Sequence, residues 1–159
     1  ELVKGLTFKG SYTYQKFKYD SYLAGSIDGG GNLTNEDYSG NIEASNPDMF
    51  FTGELMYQHT IAKKYTLYAK TNFQHVGAMF VNDANTDSLK TASYSLINGQ
   101  VGIDCNFDKF RLVAYGGLNN IADKKYVAFI NINSDRSEYY ESGPMRNFFG
   151  GLTLAYMFR

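Results

Sequence analysis

Hydrophobic and polar residues alternate along this chain with a period of two, and the spacing of an amphipathic helix hardly occurs. Between 48 and 61, Met49, Phe51, Gly53, Leu55, Tyr57, His59 and Ile61 fall on one face. Phe50, Thr52, Glu54, Met56, Gln58 and Thr60 fall on the other. From 65 to 81, Tyr65, Leu67, Ala69, Phe73, Gly77, Met79 and Val81 oppose Tyr68, Lys70, Asn72 and Gln74. The pattern is cleanest at the end, where Phe148, Gly150, Leu152, Leu154, Tyr156 and Phe158 share a face and only Phe149 and Met157 break the rule. Extended over the chain, the alternation predicts six strands near 5–22, 46–61, 65–82, 90–107, 110–132 and 146–158. Its phase flips between Leu96 and Val101, which predicts a bulge at Asn98-Gly99, because one extra residue exchanges the two faces.

Connections alternate in length. Tight ones fall at Ala62–Lys64 and Asp108–Lys109, and long polar ones at 23–47, 82–90 and 133–143. Register follows from requiring opposed residues to share a side of the sheet. Placing Phe107 opposite Phe110 pairs Cys105 with Leu112, Ile103 with Ala114 and Val101 with Gly116. Placing Ile61 opposite Tyr65 pairs Tyr57 with Ala69 and Phe51 with His75 on the apolar side, and Glu54 with Asn72 on the polar side. An antiparallel sheet in sequence order is the expectation.

Many of these strands run to about 15 residues, against about 5–6 for an ordinary globular strand and roughly 9–11 for one that crosses a bilayer. Short turns alternating with long loops are also an outer-membrane-barrel trait. Such a barrel turns its apolar side outward and its polar side inward, the inverse of a soluble one. Alternation alone does not separate the two arrangements. Strand length favours the inverted case, as do 14 Tyr and 12 Phe in 159 residues and the polar run Glu54, Gln58, Lys70, Asn72 and Gln74. On that reading Leu55, Leu67, Leu112, Leu152 and Leu154 face lipid, while the polar run faces the lumen.

Composition narrows the rest. A net charge of −1 excludes a polybasic nucleic-acid binder, and one cysteine excludes an intramolecular disulfide framework. No apolar run reaches the roughly 18–20 residues of a membrane helix. Glu1 opens without a methionine, basic region or apolar region, so a cleaved leader and a piece of a longer chain both stand as expectations.

The C-terminal third carries a resemblance. Leu118-Asn119-Asn120-Ile121-Ala122-Asp123-Lys124-Lys125-Tyr126 resembles the NNLFDKKY signature of TonB-dependent outer-membrane receptors. Tyr139-Tyr140-Glu141-Ser142-Gly143-Pro144-Met145-Arg146-Asn147-Phe148-Phe149-Gly150-Gly151-Leu152 is similar to that family's lead into its last strand, which closes on an aromatic, here Phe158. Departures are Ala122 for phenylalanine, Ser142 for proline, and Arg159 after Phe158. The resemblance implies an all-β, antiparallel up-and-down transmembrane β-barrel, of which 1–159 would be a C-terminal portion of about six strands without the plug. It also implies import of a scarce ligand (an iron chelate, cobalamin or glycan). The implied partners are outer-membrane lipid, the plug and remaining strands, and the energy-coupling TonB protein through the missing N-terminal part, at the bacterial outer membrane. No nucleic acid and no cofactor are expected. The motif residues read as structural: Asn119, Asn120 and Asp123 bond nearby backbone, Gly143-Pro144 ends an outer loop, and Gly150-Gly151 allows close packing; Tyr126, Arg146 and Phe158 complete the set.

Candidate chemistry is sparse. His59 and His75 would lie roughly 27 Å apart at about 3.4 Å per residue, too far to share a metal. Cys105 reads as a small hydrophobe. Asp28-Gly29-Gly30-Gly31 lacks the Lys-Ser/Thr and helix of a phosphate loop and reads as an outer loop. Glu54 and Lys70 are diagonal and read as an ion pair. No nucleophile–base pair emerges, so no enzymatic activity is expected. Two alternatives stay open: a small self-contained barrel with a structural or adhesive role, drawing an extra hairpin from 21–27 and 32–40, and a soluble lipocalin-like β binder with its apolar face inside.

Overall fold

The computed structural model describes residues 4–27, 29–134, 136 and 138–158. Its strands are β1 (Leu6–Tyr14), β2 (Leu23–Ile27), β3 (Leu33–Asp37), β4 (Met49–Ile61), β5 (Tyr65–Val76), β6 (Tyr94–Asn106), β7 (Phe110–Asn119), β8 (Val127–Ile130), β9 (Tyr140–Ser142) and β10 (Asn147–Tyr156). The only helical element among the described residues is the single 3₁₀ turn Asp87–Leu89. Six strands form one antiparallel sheet in the order β1-β4-β5-β6-β7-β10, which is the sequence order of the long strands. Hairpins β2–β3 and β8–β9 form two small separate sheets. Among the described residues β1 pairs only with β4 and β10 only with β7, so the sheet is open and no closed barrel forms.

Local chemistry fixes the register. Ala62 and Lys63 both take left-handed backbone conformations (φ 51° and 59°), and Lys64 N donates to Ile61 O at 3.2 Å. Two such residues make a mirror-image turn whose twist matches that of the strands. At the next tight turn Phe107 N donates to Phe110 O at 2.9 Å. Ile61 is therefore opposite Tyr65, Glu54 opposite Asn72, and Cys105 opposite Leu112, the register expected from the alternation.

Five expectations need correction. The strand expected over 5–22 stops at Tyr14; Gln15 turns its amide to Asp48 O, and 15–22 runs on irregularly, with one bridge between Lys18 and Ile42. The strand expected over 110–132 stops at Asn119, because Asn120 and Asp123 adopt φ of 50° and 54°. The strands expected over 65–82 and 90–107 end at Val76 and begin at Tyr94. Finally, no bulge interrupts β6: its ladder with β5 runs unbroken from Tyr65↔Cys105 to Val76↔Tyr94. Leu96 stands on the same side as Asn98 and Gln100 because it is buried at the loop end of the sheet.

The register sorts the sheet into two unlike faces. One carries Phe8, Leu55, Leu67, Val101, Leu112, Leu118, Phe148, Leu152 and Leu154. No described element covers it: Val101, Leu152, Leu154 and Phe148 are 62–83% exposed. Apart from Cys105, buried on this face opposite Leu112, the small core lies elsewhere, where Ala44, Val76, Phe80, Val81, Leu96 and Ile130 gather at the end bearing the long connections. The other face is polar, and three of its aromatics stand directly across from glycines: Tyr68 from Gly102, Phe149 from Gly117, Tyr115 from Gly151. Each ring lies over its glycine and occupies the space of a Cβ. This explains why Phe149 breaks the alternation of the last strand.

Replacing Gly117 by Ala places a methyl 2.5 Å from Gly99 O and within the Phe149 ring, whereas at Gly116 the nearest atom is 3.7 Å away. Gly117→Ala should therefore cost about 1–3 kcal/mol in urea unfolding, and Gly116→Ala under about 0.5 kcal/mol. Equal costs would contradict this packing.

Candidate functional site

The polar face gathers Lys9, Ser11, Thr52, Glu54, Asn72, Gln74 and Asn98 around an open hollow of about 450 Å³. Lys9 Nζ lies 3.8 Å from Glu54 Oε1, directly across the β1–β4 ladder, so the partner of Glu54 is Lys9 and not the diagonal Lys70. A directly opposed pair is closer than a diagonal one on a pleated sheet, which is why β1 wins. Ser11 and Thr52 hydroxyls bond at 2.7 Å beside them. Gln58 and Lys70 share the face but lie outside the hollow. Further along, Gln100 donates to the Tyr68 hydroxyl at 2.9 Å, and the Arg111 guanidinium bonds both oxygens of Asp104. Such a surface offers alternating donors and acceptors to a polar solute.

A second cluster ties the long connections together, and its centre is Asp83, 5% exposed. Tyr19 hydroxyl donates to Asp83 Oδ1 at 2.7 Å, and Tyr22 hydroxyl to Oδ2 at 3.2 Å. Asn133 Nδ2 donates to Oδ2 at 2.7 Å while its Oδ1 accepts from Asp83 N at 3.2 Å. Asn41 Nδ2 donates to Asp83 O at 2.8 Å. Nearby, Asn85 brackets Ile42, accepting from its N–H and donating to its carbonyl, each at 2.7 Å. Three connections thus converge on one buried carboxylate held by neutral donors. None of these residues stands out in the sequence, because the partners lie 42 to 64 positions from Asp83.

Motif residues form a third group where β7 meets β10. The buried Asn120 accepts Lys124 N at 2.8 Å and donates to Lys124 O at 2.8 Å and Pro144 O at 3.2 Å, while its own amide bonds Asn98 Oδ1 at 2.8 Å. Asp123 Oδ1 accepts Arg146 N at 2.9 Å, with the Arg146 guanidinium 3.6 Å from Oδ2. Asn119 Nδ2 donates to Asn147 Oδ1 at 3.0 Å. The Tyr126 ring covers Gly143 and packs on Tyr94 with centroids 4.7 Å apart. Phe158 lies past the end of β10, 4.8 Å from the Tyr156 ring. Glu1, Asp28 and Arg159 lie outside the described residues; Gly29–Asn32 connect β2 to β3.

No family model matches the chain. The fold is similar to that of BauA, the ferric preacinetobactin receptor from Acinetobacter baumannii. Its crystal structure superposes with a TM-score of 0.60 at 12% identity over 94% of this chain and 26% of that one. This chain therefore spans about a quarter of that receptor, and the likeness extends to the fold.

The remaining candidates stay apart. His59 lies opposite Leu67 and His75 opposite Phe51, at the two ends of the same hairpin. His75 Nδ1 lies 2.9 Å from Ser95 Oγ, a cross-strand contact between β5 and β6. Cys105 is buried and unpaired by disulfide, and no group of described residues has the make-up of a metal site.

Burial first, and then the hydrogen bond and charge of Asp83, push the Tyr19 hydroxyl up to about 12. Tyr22 is raised too, chiefly by the Asp83 charge. The protonated phenol is the form the cluster prefers. Its contribution to stability is complete below the ordinary value of about 10 and is lost as pH rises through about 12. Alkaline titration of phenolate absorbance, taken as wild type minus Tyr19→Phe, should show a late transition near pH 12, moving toward 10 in Asp83→Asn. An unshifted transition in Asp83→Asn would contradict the cluster.

Proposed function

We propose that this chain forms part of the barrel wall and outer loops of a TonB-dependent receptor in a bacterial outer membrane. The observation that carries the reading is the uncovered apolar face running across all six strands, backed by a polar face with Glu54, Asn72 and Gln74. A soluble sheet leaves its polar side to water and buries the apolar one; here the apolar side is bare and the small core sits among the connections. Lipid against the apolar face and water against the polar one satisfy both. The two ordered motifs, Asn119–Tyr126 and Gly143–Arg146, supply the family. The fold of a ferric preacinetobactin receptor, matched over 94% of this chain, is compatible with it.

In this reading the connections bearing Asp83 lie outside the cell, where they and the receptor's plug capture an iron chelate, cobalamin or glycan. The energy-coupling TonB protein then acts through the receptor's N-terminal region. A small self-contained barrel would need the β2–β3 hairpin to extend the main sheet, and that hairpin stands as a separate sheet.

Two outcomes check the proposal. Val101→Arg puts a cation on the apolar face and should cost about 2–4 kcal/mol of folding stability in lipid bilayers, while Gln100→Arg, one residue away, should cost under about 1 kcal/mol. Similar costs would refute the orientation. With β1 and β10 open at the sheet edges, the chain alone should associate in detergent and pass no current as a monomer in planar bilayers. A heat-resistant conducting monomer would refute the assignment as a partial barrel.

A further inference from the structure

The apolar face ends, at the side of the long connections, against a compact cavity of about 240 Å³. Tyr14, the last residue of β1, borders it, and so do Lys16, Phe17, Phe80, Lys90 and Asp48. Both lysines are exposed, and neither makes an ion pair with any described carboxylate. The Lys90 ammonium lies 4.6 Å from the centroid of the Phe80 ring, which holds the cation over the cavity without neutralising it. Asp48, the one acid in the lining, is exposed beside Gly77 and makes no ion pair with either lysine. Directly below, Tyr12, Tyr14 and Phe17 are all more than half exposed, continuing the apolar surface of β1 up to the lysines.

Apolar surface, an aromatic edge and unpaired cations above it follow one another over a few residues of chain, the order in which a lipid presents its acyl chain, interface and phosphate. We propose that Lys16 and Lys90 form a site for the phosphate of an anionic membrane lipid, whose acyl chains lie over Tyr14, Tyr12 and Phe8. This rests on the membrane orientation given above and adds to it a lipid chemistry at one position on the rim. The lysines supply charge, the cavity admits the headgroup, and the exposed rings fix its depth. Lysine suits this role because its ammonium acts as a mobile point charge on a long apolar stem.

The test reconstitutes the full chain in phosphatidylcholine bilayers and uses electron spin resonance to count lipid immobilised at the protein, with spin-labelled phosphatidylglycerol or phosphatidylcholine as the probe. Phosphatidylglycerol should be preferred, and the preference should fall about fivefold for each lysine in Lys16→Gln and Lys90→Gln. Both side chains are exposed, so the β-sheet circular dichroism of the variants should match wild type. Lys63→Gln, which removes the same charge from the turn at the opposite end, should keep the preference. A preference unchanged in the double variant overturns the site. So does displacement of the lipid by an equal concentration of inorganic phosphate, which would make the cavity a plain anion site. Absence of immobilised lipid with either probe would instead overturn the membrane orientation itself.

Discussion

The antiparallel ladder from β1 to β10 is the interaction on which the rest of the molecule depends. Because side chains alternate with a period of two, a slip of one residue in any pairing would carry every leucine to the polar side and every amide to the apolar one. Small features hold the register: the mirror-image turn at Ala62-Lys63, the close turn at Phe107–Phe110, and three aromatic rings seated on glycines across the strands. The ladder satisfies the backbone polar groups inside the sheet. That condition is what allows one face to lie bare of other protein.

A division of labour follows. The sheet contributes little core of its own, and the buried residues Val81, Phe80, Ala44 and Ile130 lie among the connections. There the side chains of Asn41, Asn85, Asn120 and Asn133 replace the missing ladder, each pairing with backbone as a neighbouring strand would. Asp83 joins three of these segments and satisfies its oxygens with neutral donors, which costs less than burying an unpaired charge. The end bearing the long connections is thereby ordered by hydrogen bonding where the sheet is ordered by pairing.

How much of this could be read from sequence depends on how local the signal is. Strand order, both hairpin registers and the make-up of each face were legible, because alternation and turn spacing are short-range. Strand ends were less so: 5–22 and 110–132 keep their alternation past Tyr14 and Asn119, and only left-handed Asn120 and Asp123 or the detour at Gln15 reveal the stop. Leu96 mimicked a bulge because it is an apolar residue buried on the otherwise polar side of β6. The partner of Glu54 was missed because β1 joins β4 across a long connection, and Asp83 because its ligands are scattered over the chain.

The central claim is that the two faces of one continuous sheet meet lipid and water respectively. The chain contains no tryptophan, so single tryptophans along β7 report without background. In bilayers with brominated acyl chains, tryptophan at Leu112 and Ala114 should be strongly quenched, and at Val113 and Tyr115 weakly, an alternation of period two. Uniform quenching, or quenching strongest at Val113 and Tyr115, would contradict the account.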